Sequence, residues 1–220
     1  MNVVFDLGAV LIGWEPARLL QAHFPERAPT FETAGAFARS FFHHKDWLDF
    51  DCGIRTVDEV VARTSARLSL PPDRVHDMIA PLGEMLQPIP ESVELLMALA
   101  RRREKQGDVR LFYLSNMPQP YARALERRLS FFSIFDGGIF SADVKLTKPH
   151  GEIYELLAWR HGLVPEETLF IDDTAANVEA ARAIGWHAIH CTQPKLLGAE
   201  IGRYVQPAET AMARKLNARL

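Results

Sequence analysis

The chain has 220 residues, 48% of them hydrophobic and 24% charged, with a formal net charge of −3. That length suits one core domain, or a core with a smaller satellite, and the composition excludes disordered, collagen-like and coiled-coil classes. The mildly acidic balance argues against nucleic acid as a partner, because a phosphate backbone demands dense Lys and Arg.

The first element in chain order is a strand. "VVFDL" (3–7) is apolar on both pleat faces, as in a covered parallel sheet, and it carries one acid, Asp6, at its tip. A charge there is costly without a partner. Gly8 follows two residues later.

From about 15 to 85 the chain reads as helix and loop throughout. Such a stretch is too long for a simple crossover between strands. It predicts a small all-helical domain inserted after the first strand, leaving 1–14 and 86–220 as the core. "DCGIRTVDEV" starts a helix at Thr56, with Glu59 placed for a capping box. Trp14 and Trp47 are expected to pack or to line a cleft between core and insert.

"ESVELLMALARRREK" (91–105) follows Pro90 and repeats apolar residues at Val93, Leu96, Met97 and Ala100, a helical pattern whose basic end is read as solvated. A second strand is predicted at "VRLFYLS" (109–115), ending in Ser115 and followed by Asn116. Lys148 and Pro149 precede a helix at 151–162, on which Tyr154 and Trp159 read as packing residues. "TLFID" (168–172) is a third strand, ending in Asp172 and followed by Asp173 and Asn177. "HAIHC" (187–191) is a fourth, whose His187 and His190 read as structural and remote from the acids. A peripheral helix is expected at 208–220.

No apolar run approaches the ~20 residues needed to span a bilayer. The N-terminus has no positive region, so it is not read as a signal peptide. Cys52 and Cys191 lie far apart and form no Cys-x-x-Cys pair, which fits a reducing compartment. The expectation is a soluble, cytoplasmic protein, monomer or homodimer, without membrane or nucleic acid as partner.

Alternating strands and helices predict an α/β fold, a doubly wound parallel Rossmann-like sheet with the helical insert. Ligands in such sheets bind beyond the carboxyl ends of the strands. Asp6, Ser115–Asn116, Lys148 and Asp172–Asp173 all fall there or in a following loop. Singly, each has an ordinary explanation as turn, cap or surface residue; together they suggest a site. Three acids and one lysine sum to −2, and packed carboxylates raise each other's pKa. Mg²⁺ would neutralise that charge through hard oxygen ligands and leave room for a phosphate. Lys148, the Ser115 hydroxyl and backbone N–H groups could then hold phosphate oxygens, with one carboxylate as nucleophile.

"VVFDLG", "LFYLSN", "KLTKP" and "LFIDDTAANVEAA", in that order, resemble the haloacid dehalogenase superfamily of phosphohydrolases. The resemblance covers roughly 1–14 and 86–195, and the insert matches a family helical cap in position and texture. It implies Asp6 as nucleophile and metal ligand, with the Gly8 carbonyl as a further ligand. Ser115, Asn116 and Lys148 would bind substrate, with Ser115 on the phosphoryl group and Lys148 balancing charge. Asp173 would bind Mg²⁺ directly, Asp172 through a water, and Asn177 would brace the loop.

Gly8 departs from the pattern. Relatives usually carry a second acid there, for proton transfer to the leaving group, although a branch resembling glucose-1-phosphate phosphatases also has "FDLG". Either the leaving group needs little protonation, as in an anomeric sugar phosphate, or the insert supplies the proton. Candidates are His43, His44, Asp46, Asp49 and Asp51.

The leading expectation is a Mg²⁺-dependent phosphatase acting on a small phosphorylated metabolite. The alternatives are a metal-independent 2-haloacid dehalogenase, disfavoured because Asp172 and Asp173 would repel a carboxylate substrate, and a non-catalytic binding protein on the same scaffold.

Overall fold

The computed structural model describes residues 1–205; the helix expected at 208–220 lies outside them. The first strand, β1 (Asn2–Phe5), is followed by α1 (Pro16–His23), α2 (Phe31–Phe42), α3 (Lys45–Asp51), α4 (Val57–Leu68), α5 (Pro72–Ile79), the short α6 (Leu82–Met85) and the long α7 (Pro90–Gln106). Only then does β2 (Arg110–Ser115) begin. After it come α8 (Gln119–Arg128), β3 (Gly137–Phe140), α9 (Ser141–Val144), α10 (Gly151–His161), β4 (Thr168–Asp172), α11 (Ala175–Ala183), β5 (His187–His190) and α12 (Leu197–Ile201). Among the described residues no helix is long and apolar enough to cross a membrane.

The five strands form one parallel sheet in the order β3-β2-β1-β4-β5. The chain winds outward from β1 through β2 to β3, then returns to the other side of β1 for β4 and β5. β1 is therefore central, and the strand order switches beside it, where doubly wound sheets open a crevice. Period-two alternation sends Val3 and Phe5 to one face and Val4 to the other, each wholly buried. One face packs with Phe112, Tyr154, Phe170 and Trp186. The other face continues without a break into the helices between β1 and β2, through Leu20, Phe24, Phe41 and Met78.

Local signals start these helices as read. Thr56 and Glu59 form a reciprocal capping box at the head of α4. Pro90 opens α7, and Gly107 ends it in the left-handed region at φ 65°.

Four expectations need correction. The third strand in sequence, β3, was not anticipated, because "GGIF" carries two residues that disfavour strands. Close approach explains the glycines: a Cβ on Gly138 would lie 2.3 Å from the Tyr113 ring on β2. Trp159 does not pack; it is 80% exposed. It stands five residues from buried Tyr154, about 140° around the helix at 3.6 residues per turn. Met97 is exposed for the same kind of reason, one residue from buried Leu96. The basic end of α7 is not simply solvated, since Arg102 pairs with Asp108 and Arg103 with Asp136, tying the helix to the start and flank of β2.

Candidate active site

Asp6 follows β1 directly, and its N–H still donates to the Ile171 carbonyl of β4 at 2.8 Å. This ladder bond fixes the residue at the carboxyl edge of the sheet. Ser115 ends β2 and Asp172 ends β4, both buried. The lysine comes from the loop before α10. Its backbone is clamped to the end of β2 by Asn116, which accepts from the Lys148 N–H and donates to the Lys148 carbonyl, both at 2.9 Å. Both ends of the Asn116 amide are thus occupied, so Asn116 positions Lys148, although it also faces the cavity.

Lys148 Nζ lies 2.9 Å from Asp6 Oδ1 and 2.6 Å from Asp172 Oδ2, and it is buried. Asp172 is fully engaged: its other oxygen, Oδ1, accepts from the Thr174 N–H at 2.8 Å and from Asn177 Nδ2 at 2.9 Å. Asp173 is less occupied, accepting from Thr174 Oγ1 at 3.3 Å. His190 is closer to the acids than its sequence position suggested, with Nε2 at 2.8 Å from the Asp173 carbonyl. It braces the backbone that carries Asp173. Thr174 was not anticipated; a threonine after two acids gives no stronger sequence signal than a helix cap.

Burial pushes the Asp6 pKa up to about 7; Lys148 opposes the shift, and Asp172 and Asp173 add to it. Asp173 is raised too, first by burial and then by Asp172. For Lys148 burial works against the charged form, but Asp172 and Asp6 more than offset it, so its pKa lies above the ordinary lysine value. The protein therefore concentrates negative charge that one lysine does not balance. Asp6, Asp172 and Asp173 each offer an oxygen, all within 4.8 Å of one another. Such a hard, anionic donor set fits Mg²⁺. Since both Asp172 oxygens already accept hydrogen bonds, Asp6 and Asp173 are the better-placed direct ligands.

Asp6, Ser115, Lys148 and Asp173 floor a cavity of about 460 Å³. Gly8 lies at its edge, where a Cβ would meet only Trp14 Cβ, at 3.9 Å. The walls are mostly apolar: Trp14, Phe42, Trp47, Leu86, Met117 and Tyr121. Trp14 and Trp47 stack with ring centroids 6.5 Å apart, so they both pack and line the cavity.

The five proton-carrier candidates separate. Asp46 is held by Arg63, His44, Arg55 and Arg67, and Asp49 by Lys45 and Arg55. His44 caps α3 by accepting from the Asp46 N–H. Only His43 and Asp51 of this group line the cavity.

The haloacid dehalogenase-like hydrolase family matches residues 15–185. A sesquiterpene phosphatase of Aspergillus oryzae is 26% identical over 189 residues, 86% of this chain and 88% of that protein. A predicted HAD-like family hydrolase from Porphyromonas gingivalis superposes with a TM-score of 0.67 at 26% identity, covering 94% of this chain and 98% of that one. A HAD family enzyme from Bacteroides thetaiotaomicron, in complex with magnesium and inorganic phosphate, superposes with a TM-score of 0.64 at 20% identity, covering 86% and 92%.

Proposed function

The chain belongs to the haloacid dehalogenase-like hydrolases, and from that membership we propose that it is a Mg²⁺-dependent phosphomonoesterase acting through an aspartyl-phosphate at Asp6. The observation that carries this reading is the convergence of Asp6, Ser115, Lys148 and Asp173 on the floor of one cavity. Asp6 and Asp173 would hold Mg²⁺, which would supply the positive charge that a site of net charge −2 needs in order to accept a phosphate dianion. A structural relative holding magnesium and phosphate on the same fold supports the choice of ion.

The protein's own groups do the rest. One Asp6 oxygen is held by Lys148 at 2.9 Å, which leaves the other to attack phosphorus. Lys148 and the Ser115 hydroxyl bind phosphoryl oxygens and fix the group in line with Asp6. Asp172 holds Lys148 and the turn that presents Asp173. Residues 15–85 act as the cap, whose aromatic side chains cover the leaving group and exclude water.

Those walls favour an apolar or aromatic organic part. Beyond Asp6, Asp173 and Lys148, Asp51 is the one further Asp, Glu, Lys or Arg of the lining, and Lys148 is the sole basic one, already bound to two carboxylates. The lining thus has few partners for sugar hydroxyls or a second anion. Likeness to a sesquiterpene phosphatase points the same way.

The test is phosphate release from prenyl, aryl and sugar monophosphates, with Mg²⁺ and with EDTA. The reading predicts Mg²⁺-dependent release, greatest for the apolar esters and abolished by Asp6→Asn. It fails if no ester is hydrolysed in Mg²⁺, or if halide release from 2-haloacids proceeds regardless of EDTA.

A further inference from the structure

The attack of Asp6 on a phosphate ester expels an alkoxide, which is a poor leaving group unless a proton reaches its oxygen. Position 8 has no side chain to carry one. The Tyr121 hydroxyl is already donated to the Ile79 carbonyl at 2.6 Å. Lys148 is held by Asp6 and Asp172, and Asp172 by three donors. His43 lines the cavity but is an exposed residue at the end of α2. Asp51, half-buried at the end of α3, remains.

Its placement is built in. The Ser141 hydroxyl of α9 donates to the Asp51 carbonyl and accepts from the Met117 N–H at 2.9 Å. One hydroxyl therefore ties the backbone of Asp51 to the loop carrying Ser115 and Asn116. Two residues on, Lys145 donates to the Gly53 carbonyl. The Trp47 side chain, one turn earlier on α3, favours the charged form of the Asp51 carboxyl. That carboxyl lines the same cavity as Asp6 and Lys148 and feels the charge of both.

We propose that Asp51, presented by the helical insert, is the catalytic proton carrier: it protonates the departing ester oxygen and afterwards takes a proton from the attacking water. The proposal rests on the phosphomonoesterase reading above. In the first half-reaction the Asp6 oxygen bonds to phosphorus, the bond from phosphorus to the ester oxygen breaks, and the Asp51 proton completes the alcohol. In the second, the Asp51 carboxylate removes a proton from water as its oxygen bonds to phosphorus. The bond to Asp6 then breaks, releasing inorganic phosphate and restoring both groups.

The ionisation state fits the first step. Burial raises the Asp51 pKa to about 8; Lys148 opposes this, Asp6 adds to it, and Trp47 lowers it. Tyr121 of α8 and the neighbouring Cys52 in turn feel the Asp51 charge. At neutral pH the acid thus holds its proton.

Leaving-group dependence separates this role from a structural one. Phosphatase activity of Asp51→Asn and Asp51→Ala is measured in Mg²⁺ on p-nitrophenyl phosphate, whose leaving group needs no proton, and on an alkyl phosphate. The expected result is a loss in kcat/KM, which reads the steps up to departure of the leaving group and leaves out the dephosphorylation common to both esters, of about 100-fold or more on the alkyl ester and less than about 10-fold on the aryl ester. Gly8→Asp, which the open space at position 8 admits, should restore alkyl turnover in the Asp51→Asn background. Melting curves establish that each variant is folded; a misfolded alanine variant leaves the isosteric asparagine to decide. Equal losses on both esters, or undiminished alkyl turnover, overturn the assignment. If the parent protein hydrolyses neither ester, the phosphomonoesterase reading itself falls. That outcome is distinct from a parent that turns over both esters and an Asp51 variant that discriminates neither.

Discussion

Lys148→Met tests how the site holds its charge in the absence of metal. The methionine keeps most of the buried stem and deletes the ammonium that lies 2.9 Å from Asp6 and 2.6 Å from Asp172. At an effective dielectric of about 20, each contact contributes about 6 kcal/mol of attraction. In the intact site the desolvation of the buried charges cancels much of that. The substitution keeps the desolvation of the carboxylates and removes the attraction, so a net loss of about 3–5 kcal/mol is expected. For a chain of this size that lowers Tm by roughly 10 °C. The loss should depend on pH. Without the ammonium, the Asp6 carboxyl, already raised to about 7, titrates higher still, so protonation at pH 5 relieves the site and the deficit is greatest near pH 8. Mg²⁺ should recover part of it by replacing the missing positive charge. Calorimetry of both proteins in EDTA at pH 5 and 8, then in Mg²⁺ at pH 8, reads all three effects. A variant melting within 2 °C of the parent in EDTA at pH 8, about 1 kcal/mol at most, would refute the reasoning.

Four further outcomes follow from the same geometry. Asp173→Asn should raise the Mg²⁺ concentration for half-maximal activity by 10-fold or more, roughly the scale of lost ligation. Asp172→Asn should instead lower Tm, because an amide nitrogen is brought to Lys148 or Asn177; Mg²⁺ titration and melting curves separate the two. Ser141→Ala removes the hydroxyl joining Asp51 to Met117. Leaving one of those backbone groups unpaired costs about 1–3 kcal/mol, read as a lower midpoint in urea. Asp51 has a pKa raised above its unfolded value, so its protonated form stabilises the fold at low pH. That contribution is lost as pH rises toward and through about 8. Asp51→Asn should therefore gain in Tm relative to the parent as pH increases from 5 to 9, measured in EDTA.

Much of this arrangement was legible in the residues. An apolar strand with a polar residue at its tip reports a parallel strand with a ligand edge: Asp6 follows β1, Ser115 ends β2 and Asp172 ends β4. The length of 15–85 pointed to more than a crossover, and α1 to α6 occupy that stretch. β3 was hidden because its glycines answer to the Tyr113 and His161 rings packed against them, contacts between elements that no local pattern records. Trp159 misled because an aromatic residue was read as packing without regard to its angle on α10. The proton-carrier candidates could be collected from the insert but not sorted. Asp46 and Asp49 are satisfied by arginines and a lysine, and Asp51 is not, a difference set by the folding of α3 and α4 onto each other.

The most direct measurement is to trap the enzyme during turnover of an aryl phosphate in Mg²⁺ by acid quench, reduce it with borotritide, and map the label. An acyl phosphate at Asp6 is reduced to the labelled alcohol, so tritium should appear in the N-terminal peptide at position 6 and be absent from Asp6→Asn. Label at another acid, or no label with steady turnover and a demonstrated burst, would contradict a covalent role for Asp6.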